Sequence, residues 1–283
     1  MKRPTSLAVR AYDPSTDGVA ASSRRTASGG RWLAIAKDPY GSQVAVATRA
    51  TLALLDPESA AIRWSVPVSD GLAYGVQPDA PLVAFAPDGS RVAWLGGCAS
   101  GPRLIFVDPE SGAVTADLVL ERFPTPPSAG PGGGVQAPPL PQGMRFTLAG
   151  ALVIDEPFGR WTLAPDVRTL TFTGDVVRDF APQDGGAAYT YKGDGKLTGP
   201  GGDVNVGGIL HRSVAIDAGL ARVAWVHFAG ANAGRFVLAS LPAGDVLAAV
   251  DVTSPFGQVA VLDGSTAVFV PTDVHEPVVR LVV

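Results

Sequence analysis

The chain has 283 residues, 46% hydrophobic and 17% charged, with a formal net charge of −4 at pH 7. This apolar content argues against bulk disorder, and the lack of any basic block beyond Arg24-Arg25 argues against nucleic-acid binding. No apolar run approaches the roughly 18 residues of a membrane span, and the single cysteine, Cys98, excludes an intrachain disulfide. We therefore expect a globular cytoplasmic protein with no nucleic-acid and no membrane partner.

Short runs of β-branched, aromatic and small apolar residues predict strands along the chain, and the first is SLAVRAY at 6–12. The next segment, LAIAKDPYGSQVAVAT at 33–48, has two apolar runs separated by a Gly-Ser turn. The order of parts is the same in VAFAPDGSRVAW at 83–94. Ala84 and Ala93 lie where a strand with one exposed face would carry polar residues, which predicts a sheet covered on both faces.

The turn within 83–94 explains why its two runs pair. Pro87 presets φ for a tight turn, Asp88 can bond its own backbone, and Gly89 tolerates a positive φ. The two runs are therefore expected to fold back as an antiparallel hairpin.

The hairpin recurs later in the chain and is followed by a second recurring part. Related hairpins lie at 179–191, 213–225 and 258–270. The segments TLALLDPESAAIRWSV at 51–66 and RLIFVDPESGAVTADLV at 103–119 each predict a third strand, a turn and a fourth strand. In these turns Asp56 and Asp108 are expected to accept backbone hydrogen bonds, while the prolines that follow fix φ. RFVLASLPAGDVLAAV, at 235–250, has the same rhythm.

The repeated unit is thus four short antiparallel strands over about 35–50 residues, a period typical of propellers and other arrays. A small sheet with two apolar faces is stable only when neighbouring sheets cover it, as a radial arrangement allows. The order of strands and turns resembles the blades of WD-repeat and related β-propellers, most clearly over 82–119. The Trp-Asp of that family is replaced by Val107-Asp108 and Leu55-Asp56, and its Gly-His is absent, so the resemblance implies a divergent all-β propeller.

The first strands of the units predict six blades and leave seven open, since the third and fourth units are weakly patterned. We place these strands near 32–36, 81–86, 144–148, 176–181, 213–217 and 257–262. The last unit has three strands, so we expect the N-terminal strand at 6–12 to complete it and close the ring, which removes exposed sheet edges. We expect one domain over 1–283, with a Pro/Gly-rich loop inserted at about 121–143.

Residue types that carry catalysis are scarce and scattered. The three histidines, His211, His227 and His275, do not lie at ligand spacing, and no nucleophile elbow or calcium loop is present. Cys98 is expected to be a passive turn thiol, and Asp155-Glu156 before Pro157 is expected to form a turn. We therefore predict no catalytic residue, no cofactor and no metal ligand.

The favoured interpretation is a non-catalytic protein-interaction scaffold or assembly subunit that uses the faces and loops of the propeller. The alternative is a propeller enzyme of hydrolase or lyase type, with its active site at the mouth of the axial channel; whether a small molecule binds is left open. The tryptophans at 64, 94, 161 and 225 are expected in the core. Candidate partner contacts are Pro124, Pro126, Pro127, Pro138, Pro139, Pro141, Trp32, Arg24 and Arg25.

Overall fold

The computed structural model describes residues 19–21, 26–27, 30–56, 59, 61–68, 81–98, 101–120, 143–156, 159–167, 170–173, 178–180, 189–191, 194–230, 233–271, 276 and 278–283. Within these residues the regular structure is entirely β-strand, in six four-stranded antiparallel sheets and one two-stranded sheet. In the same part of the chain there is no helix with the length and hydropathy that a membrane span requires.

The six larger sheets are the blades of a β-propeller, numbered here in chain order. Blade 1 is β4 (Ala34–Lys37), β5 (Val44–Ala47), β6 (Thr51–Leu55) and β7 (Ile62–Pro67). Blade 2 is β8 (Leu82–Phe85), β9 (Val92–Cys98), β10 (Gly101–Val107) and β11 (Val114–Val119). Blade 3 is β12 (Gly143–Phe146), β13 (Leu152–Glu156), β14 (Gly159–Leu163) and β15 (Leu170–Thr173).

The second half of the ring has the same plan. Blade 4 is β16 (Arg178–Phe180), β17 (Tyr189–Tyr191), β18 (Lys196–Gly199) and β19 (Gly202–Asn205). Blade 5 is β20 (Ile209–Asp217), β21 (Arg222–Gly230), β22 (Ala233–Ser240) and β23 (Val246–Val252). Blade 6 is β24 (Gly257–Val261), β25 (Thr266–Pro271), β26 (Val279–Val282) and β1 (Val19–Ala21), while β2 (Thr26–Ala27) pairs with β3 (Gly30–Arg31). The expected six blades are confirmed, and every expected first strand overlaps an observed one.

The hairpin of blade 2 shows how the turn sequence fixes the strand pairing. Asp88 accepts hydrogen bonds from the amide and the hydroxyl of Ser90, at 3.0 and 2.6 Å, and Gly89 has a φ of 69°. Phe85 therefore pairs with Val92 in the antiparallel register. The turns at Asp56 and Asp108 follow the same principle, because each carboxylate accepts a bond from the amide of a serine three residues on. The predicted capping roles of these aspartates are confirmed.

Blade 2 is apolar on both faces, as the alanines of the 83–94 stretch predicted. Val83 and Val92 belong to a buried cluster shared with blade 1, whereas Ala84 and Ala93 belong to one shared with blade 3. Similar clusters join blades 4 and 5, blades 5 and 6, and blades 6 and 1. The core is therefore a set of seams between blades, and no sheet buries both of its faces alone.

The strand directions define two faces of the ring. Each described blade is an antiparallel meander, and the first strands of successive blades contact each other, as β4 does with β8 and β24. The first strands of the blades therefore all run in the same direction along the axis of the ring. The turns that join first to second and third to fourth strands lie on one face, which we call the turn face. The turns between second and third strands, and the connections between blades, lie on the opposite side, the crossover face.

The ring is closed by an N-terminal strand, but not by the one expected. The strand that pairs with β26 is β1, with Val19 opposite Leu281 and Ala21 opposite Val279. The other edge of β26 is occupied by β25, so 6–12 cannot take the closing position, and the expectation for that segment is wrong. Residues 6–12 lie outside the described residues. Closure still joins the two ends of the chain in one sheet, as expected.

Candidate interaction face

The turn face carries most of the large apolar side chains that the described residues expose. Tyr40, Leu148 and Leu220 are 73%, 70% and 36% exposed, and they lie at the turns between first and second strands of blades 1, 3 and 5. Val114, Val246 and Val283 also lie at the turn-face ends of their strands, whereas Val119 and Phe228 lie towards the crossover face. Turns usually carry polar residues, so the apolar tips on alternate blades distinguish this face from the crossover face.

Charge is also divided between the two faces. Among the exposed charged residues that the structure describes, the turn face carries five carboxylates, Asp88, Glu110, Asp166, Asp245 and Asp263, and one guanidinium, Arg63. The crossover side carries three acidic and two basic residues, Asp117, Asp194, Asp251, Arg49 and Arg235, while Asp203 and Lys196 pair with each other in the short strands of blade 4. The turn face is therefore acidic, while the opposite face is nearly balanced.

A cleft of about 440 Å³ opens on the turn face between blades 1 and 2. Its lining includes the rings of Tyr40 and Phe85, the carboxylates of Asp88 and Glu110, and the side chains of Gln43 and Arg63. Tyr40 leans across the seam, because its hydroxyl lies 3.4 Å from the carbonyl oxygen of Asp88. The cleft is built by the first turns of blades 1 and 2 and by the last turn of blade 2.

Local hydrogen bonds and ion pairs hold several of the charged groups around the cleft in position. Hydrogen bonds from the side chain and the amide of Ser90 hold the pKa of Asp88 below its ordinary value. Asp38, deeper in the cleft, accepts hydrogen bonds from the Ser42 hydroxyl and the Gln43 amide at 2.7 and 3.0 Å. Arg63 lies 3.7 Å from the carboxylate of Asp56.

The axial end of the turn face holds a buried ion pair. Lys37 ends the first strand of blade 1, and Asp217 ends the first strand of blade 5. The Lys37 ammonium lies 2.5 Å from Oδ2 of Asp217, and the two side chains are only 3% and 4% exposed. Oδ1 of Asp217 accepts a further hydrogen bond from the Leu220 amide at 2.9 Å. The pair thus links blades 1 and 5 past the first strand of blade 6.

Polar bonds also connect blade 6 to each of its neighbours. The Ile35 amide donates to Oε1 of Gln258 at 2.9 Å, across the seam between blades 1 and 6. The hydroxyl of Ser213 lies 3.2 Å from the Pro255 carbonyl and 3.3 Å from that of Gly257, at the junction of blades 5 and 6. These bonds are directional, so they fix the position of the blade in which the two chain ends meet.

The predicted partner contacts are placed by the structure in one case only. Trp32 is 2% exposed and belongs to the core cluster between blades 1 and 6, so its indole packs the blades together and offers no surface to a partner. Trp32 lies in the short connection between β3 and β4, next to the first strand of blade 1. The six prolines and two arginines of the earlier set, Pro124, Pro126, Pro127, Pro138, Pro139, Pro141, Arg24 and Arg25, lie outside the described residues.

The residues weighed for catalysis do not converge in the described part of the chain. No group of three or more histidine, cysteine, aspartate or glutamate residues is close enough there to hold a metal ion. Cys98 is the last residue of β9. Asp155 is not in a turn as expected but near the end of β13, where it is buried and pairs with Arg160 at 2.5 Å. The register explains this, because Asp155 lies directly opposite Arg160.

The tryptophans behave as the sequence predicted. Trp94, Trp161 and Trp225 are 0%, 5% and 4% exposed within the seams. Trp64 is half-buried and donates from Nε1 to the carbonyl of Pro109 at 2.8 Å, which ties blade 1 to the last turn of blade 2.

Sequence reasoning missed the apolar tips and the acidic turn face. Both were encoded in the turn residues, but grouping them requires knowing which turns share a face.

Solved structures resemble this fold at low sequence identity. The structure of U3-55K aligns with a TM-score of 0.51 and 10% identity, over 91% of this chain and 97% of that one. TolB from Acinetobacter baumannii aligns with a TM-score of 0.48 and 15% identity over 85% of this chain, which spans 57% of the TolB chain. Hydrazine synthase of Kuenenia stuttgartiensis gives a TM-score of 0.38. No family model and no curated protein matches the sequence.

The fold and these comparisons define the class of protein. The chain is a six-bladed β-propeller, similar over 91% of its length to U3-55K, and at this identity the similarity concerns the fold alone.

Proposed function

We propose that this propeller is a non-catalytic interaction module that docks a partner protein on its turn face. The observation that carries the proposal is the set of exposed apolar tips, Tyr40, Leu148 and Leu220, on alternate blades of one face. Large apolar side chains at turn tips gain nothing in water, whereas a partner that covers them gains the free energy of their burial. A rigid ring holds the three tips at fixed separations, so docking needs little ordering of the module itself.

The chain is also proposed to be a divergent relative of WD-repeat-like propellers. Support comes from the blade rhythm of 82–119 and from the capped turns at Asp56 and Asp108. The cytoplasmic location and the role as an assembly subunit remain predictions.

The test compares a turn-face variant with a crossover-face variant. In the first, Tyr40, Leu148 and Leu220 are each replaced by serine; in the second, Val119→Ser and Phe228→Ser make a similar change on the other side. Both sets are exposed, so each substitution is expected to change stability by about 0.5 kcal/mol or less, except Phe228→Ser, which also loses an edge-on contact with Phe256 and should cost more. Each protein is immobilised on a resin and incubated with an extract of the source organism. The proteins that remain bound are then quantified by mass spectrometry.

A partner retained by the wild type and the crossover-face variant, but lost from the turn-face variant, is the expected result. Loss from the crossover-face variant alone would place the docking surface on the wrong face. Equal retention of the partner by all three proteins would show that the apolar tips do not contribute to docking. Thermal melts of the three proteins show whether a lost partner reflects a lost fold.

A further inference from the structure

The seam between blades 2 and 3 shows what closes the turn-face end of a seam in this propeller. Arg91 follows the first turn of blade 2 and reaches across to blade 3, where its Nη1 donates to the carbonyl of Pro165 at 3.3 Å. Its guanidinium carbon lies 5.9 and 5.8 Å from the ring centroids of Phe106 and Phe146. A guanidinium between aromatic rings and a turn carbonyl is a favourable cation–π and hydrogen-bonding arrangement.

The seam between blades 1 and 2 repeats much of this environment. Phe85 ends the first strand of blade 2, as Phe146 ends the first strand of blade 3. Pro109-Glu110 lies in the last turn of blade 2, in the position that Pro165-Asp166 takes in blade 3. The cleft of about 440 Å³ lies here, with Phe85, Pro109 and Glu110 in its walls.

The residue that should fill this cleft is different. Gln43 directly precedes the second strand of blade 1, as Arg91 precedes that of blade 2. It is shorter and uncharged, and its Oε1 is buried without a hydrogen-bond partner in the described residues. The seam thus keeps an aromatic wall and an acidic side chain, but has no guanidinium at the position of Arg91, and the Pro109 carbonyl accepts a hydrogen bond from Nε1 of Trp64 instead.

The charges around the cleft favour a cation. Asp88 and Glu110 are exposed at its rim, and the hydrogen bonds from Ser90 that lower the pKa of Asp88 hold its carboxylate in place there. Arg63 also lines the cleft, but it lies 3.7 Å from the Asp56 carboxylate, which offsets its charge. The acidic turn face around the cleft extends the same preference to a larger basic surface.

We propose that this cleft binds the guanidinium of an arginine presented by a basic segment of the docked partner. The inference rests on the proposed function and specifies the chemistry of the partner. Phe85 and Tyr40 provide ring faces for the planar group, and Glu110 accepts its N–H bonds. Lysine fits less well, because its ammonium cannot stack flat on a ring or donate in a fixed fork.

The first experiment measures binding of small probes to the whole chain by NMR titration of the labelled protein. N-acetyl-arginine amide is compared with N-acetyl-lysine amide and N-acetyl-norleucine amide. Saturable shifts of the Gln43 and Gly89 amides are expected for the arginine probe, with a Kd on the order of 1 mM for so small a ligand. The lysine probe is expected to bind at least about threefold more weakly, and the norleucine probe should give no saturable shift.

Matched variants tie the binding to the cleft. Gln43→Arg supplies the missing guanidinium from within, so it should abolish probe binding while the protein stays folded. Glu110→Gln should weaken binding by about three- to tenfold through loss of a charge-assisted bond. Asp245→Asn removes an exposed carboxylate from the turn face outside the cleft and should leave the Kd unchanged. Arg91→Gln should open a second arginine site between blades 2 and 3, seen as new shifts near Phe146.

Three outcomes would overturn the inference: equal binding of the arginine and norleucine probes, unchanged binding in Gln43→Arg, or an equal loss in Asp245→Asn and Glu110→Gln. Tighter binding of free arginine than of the capped amide would make the cleft a small-molecule site and overturn the assignment to a partner protein. The inference and the proposed function fail separately. A partner that needs the three apolar tips but is retained by Gln43→Arg would refute the arginine site and leave turn-face docking intact.

Discussion

Replacing Asp217 by asparagine removes the charge that neutralises Lys37 while keeping the shape of the side chain. The two groups are 3% and 4% exposed, so Lys37 would remain buried opposite a neutral amide. Breaking such a pair by removing one charge is expected to lower the free energy of unfolding by about 3–5 kcal/mol. The amide oxygen of the introduced asparagine can still accept the hydrogen bond that the Leu220 amide donates to Oδ1 of Asp217, so the change isolates the ion pair from the turn.

The size of the shift in melting temperature follows from chain length. At about 2.1 cal/mol/K per residue, the unfolding entropy of 283 residues is about 0.6 kcal/mol/K. A loss of about 3–5 kcal/mol then lowers the melting temperature by about 5–8 °C. Urea and thermal unfolding followed by tryptophan fluorescence measure both quantities.

The matched control is a lysine of the same kind in an exposed pair. Lys196 lies 3.8 Å from Asp203, with side chains 48% and 49% exposed, so Lys196→Met should cost less than about 1 kcal/mol. Lys37→Met should cost about as much as Asp217→Asn, and the double variant should cost clearly less than the sum of the two. A cost below about 1 kcal/mol for Asp217→Asn, or strict additivity, would refute the claim that this buried pair links blades 1 and 5.

Deletion of residues 1–21 removes the strand that pairs with β26 and should lower the melting temperature more than deletion of 1–18, which keeps that strand; an equal effect of the two deletions would point to an earlier closing strand. Phe269→Ala empties a fully buried position in the seam between blades 5 and 6 and should cost about 3–5 kcal/mol in urea unfolding, a smaller loss indicating that the seam collapses. Burial acts to raise the pKa of Asp263, but hydrogen bonds from Ser265 outweigh it and hold the pKa below its ordinary value. This group therefore stabilises the fold above its unfolded pKa of about 3.9, and the contribution is lost as the pH falls through the lower folded pKa. In urea titrations between pH 6 and pH 3, Ser265→Ala should lose less stability on acidification than the wild type, and parallel curves would contradict this assignment.

The hairpins were predictable from the sequence because their causes are local. In 83–94, the Asp88 carboxylate bonds the residue two positions on, and Gly89 adopts the positive φ that the turn requires. The alanines at 84 and 93 showed that both faces would be covered, because an exposed face would have carried polar residues. Repetition of this unit then predicted six blades and left seven open.

The closing strand could not be chosen from the sequence. SLAVRAY at 6–12 has a stronger strand pattern than Val19–Ala21, yet the shorter segment is the partner of β26. Intrinsic strand propensity was misleading here. A strand of three residues is stabilised mainly by its hydrogen bonds to the free edge of β26, which depend on the tertiary structure.

The sequence by itself determined the strands, the turns that join them and the sixfold repeat, since each depends on residues only a few positions apart. The tertiary structure alone decided which turns share a face, and with them the acidic surface and its apolar tips. It also brought Lys37 and Asp217 together across 180 positions and placed Gln43 where the next seam holds Arg91. These contacts exist only after the ring has closed. Closure sets the distances between blades, and no local sequence pattern specifies those distances.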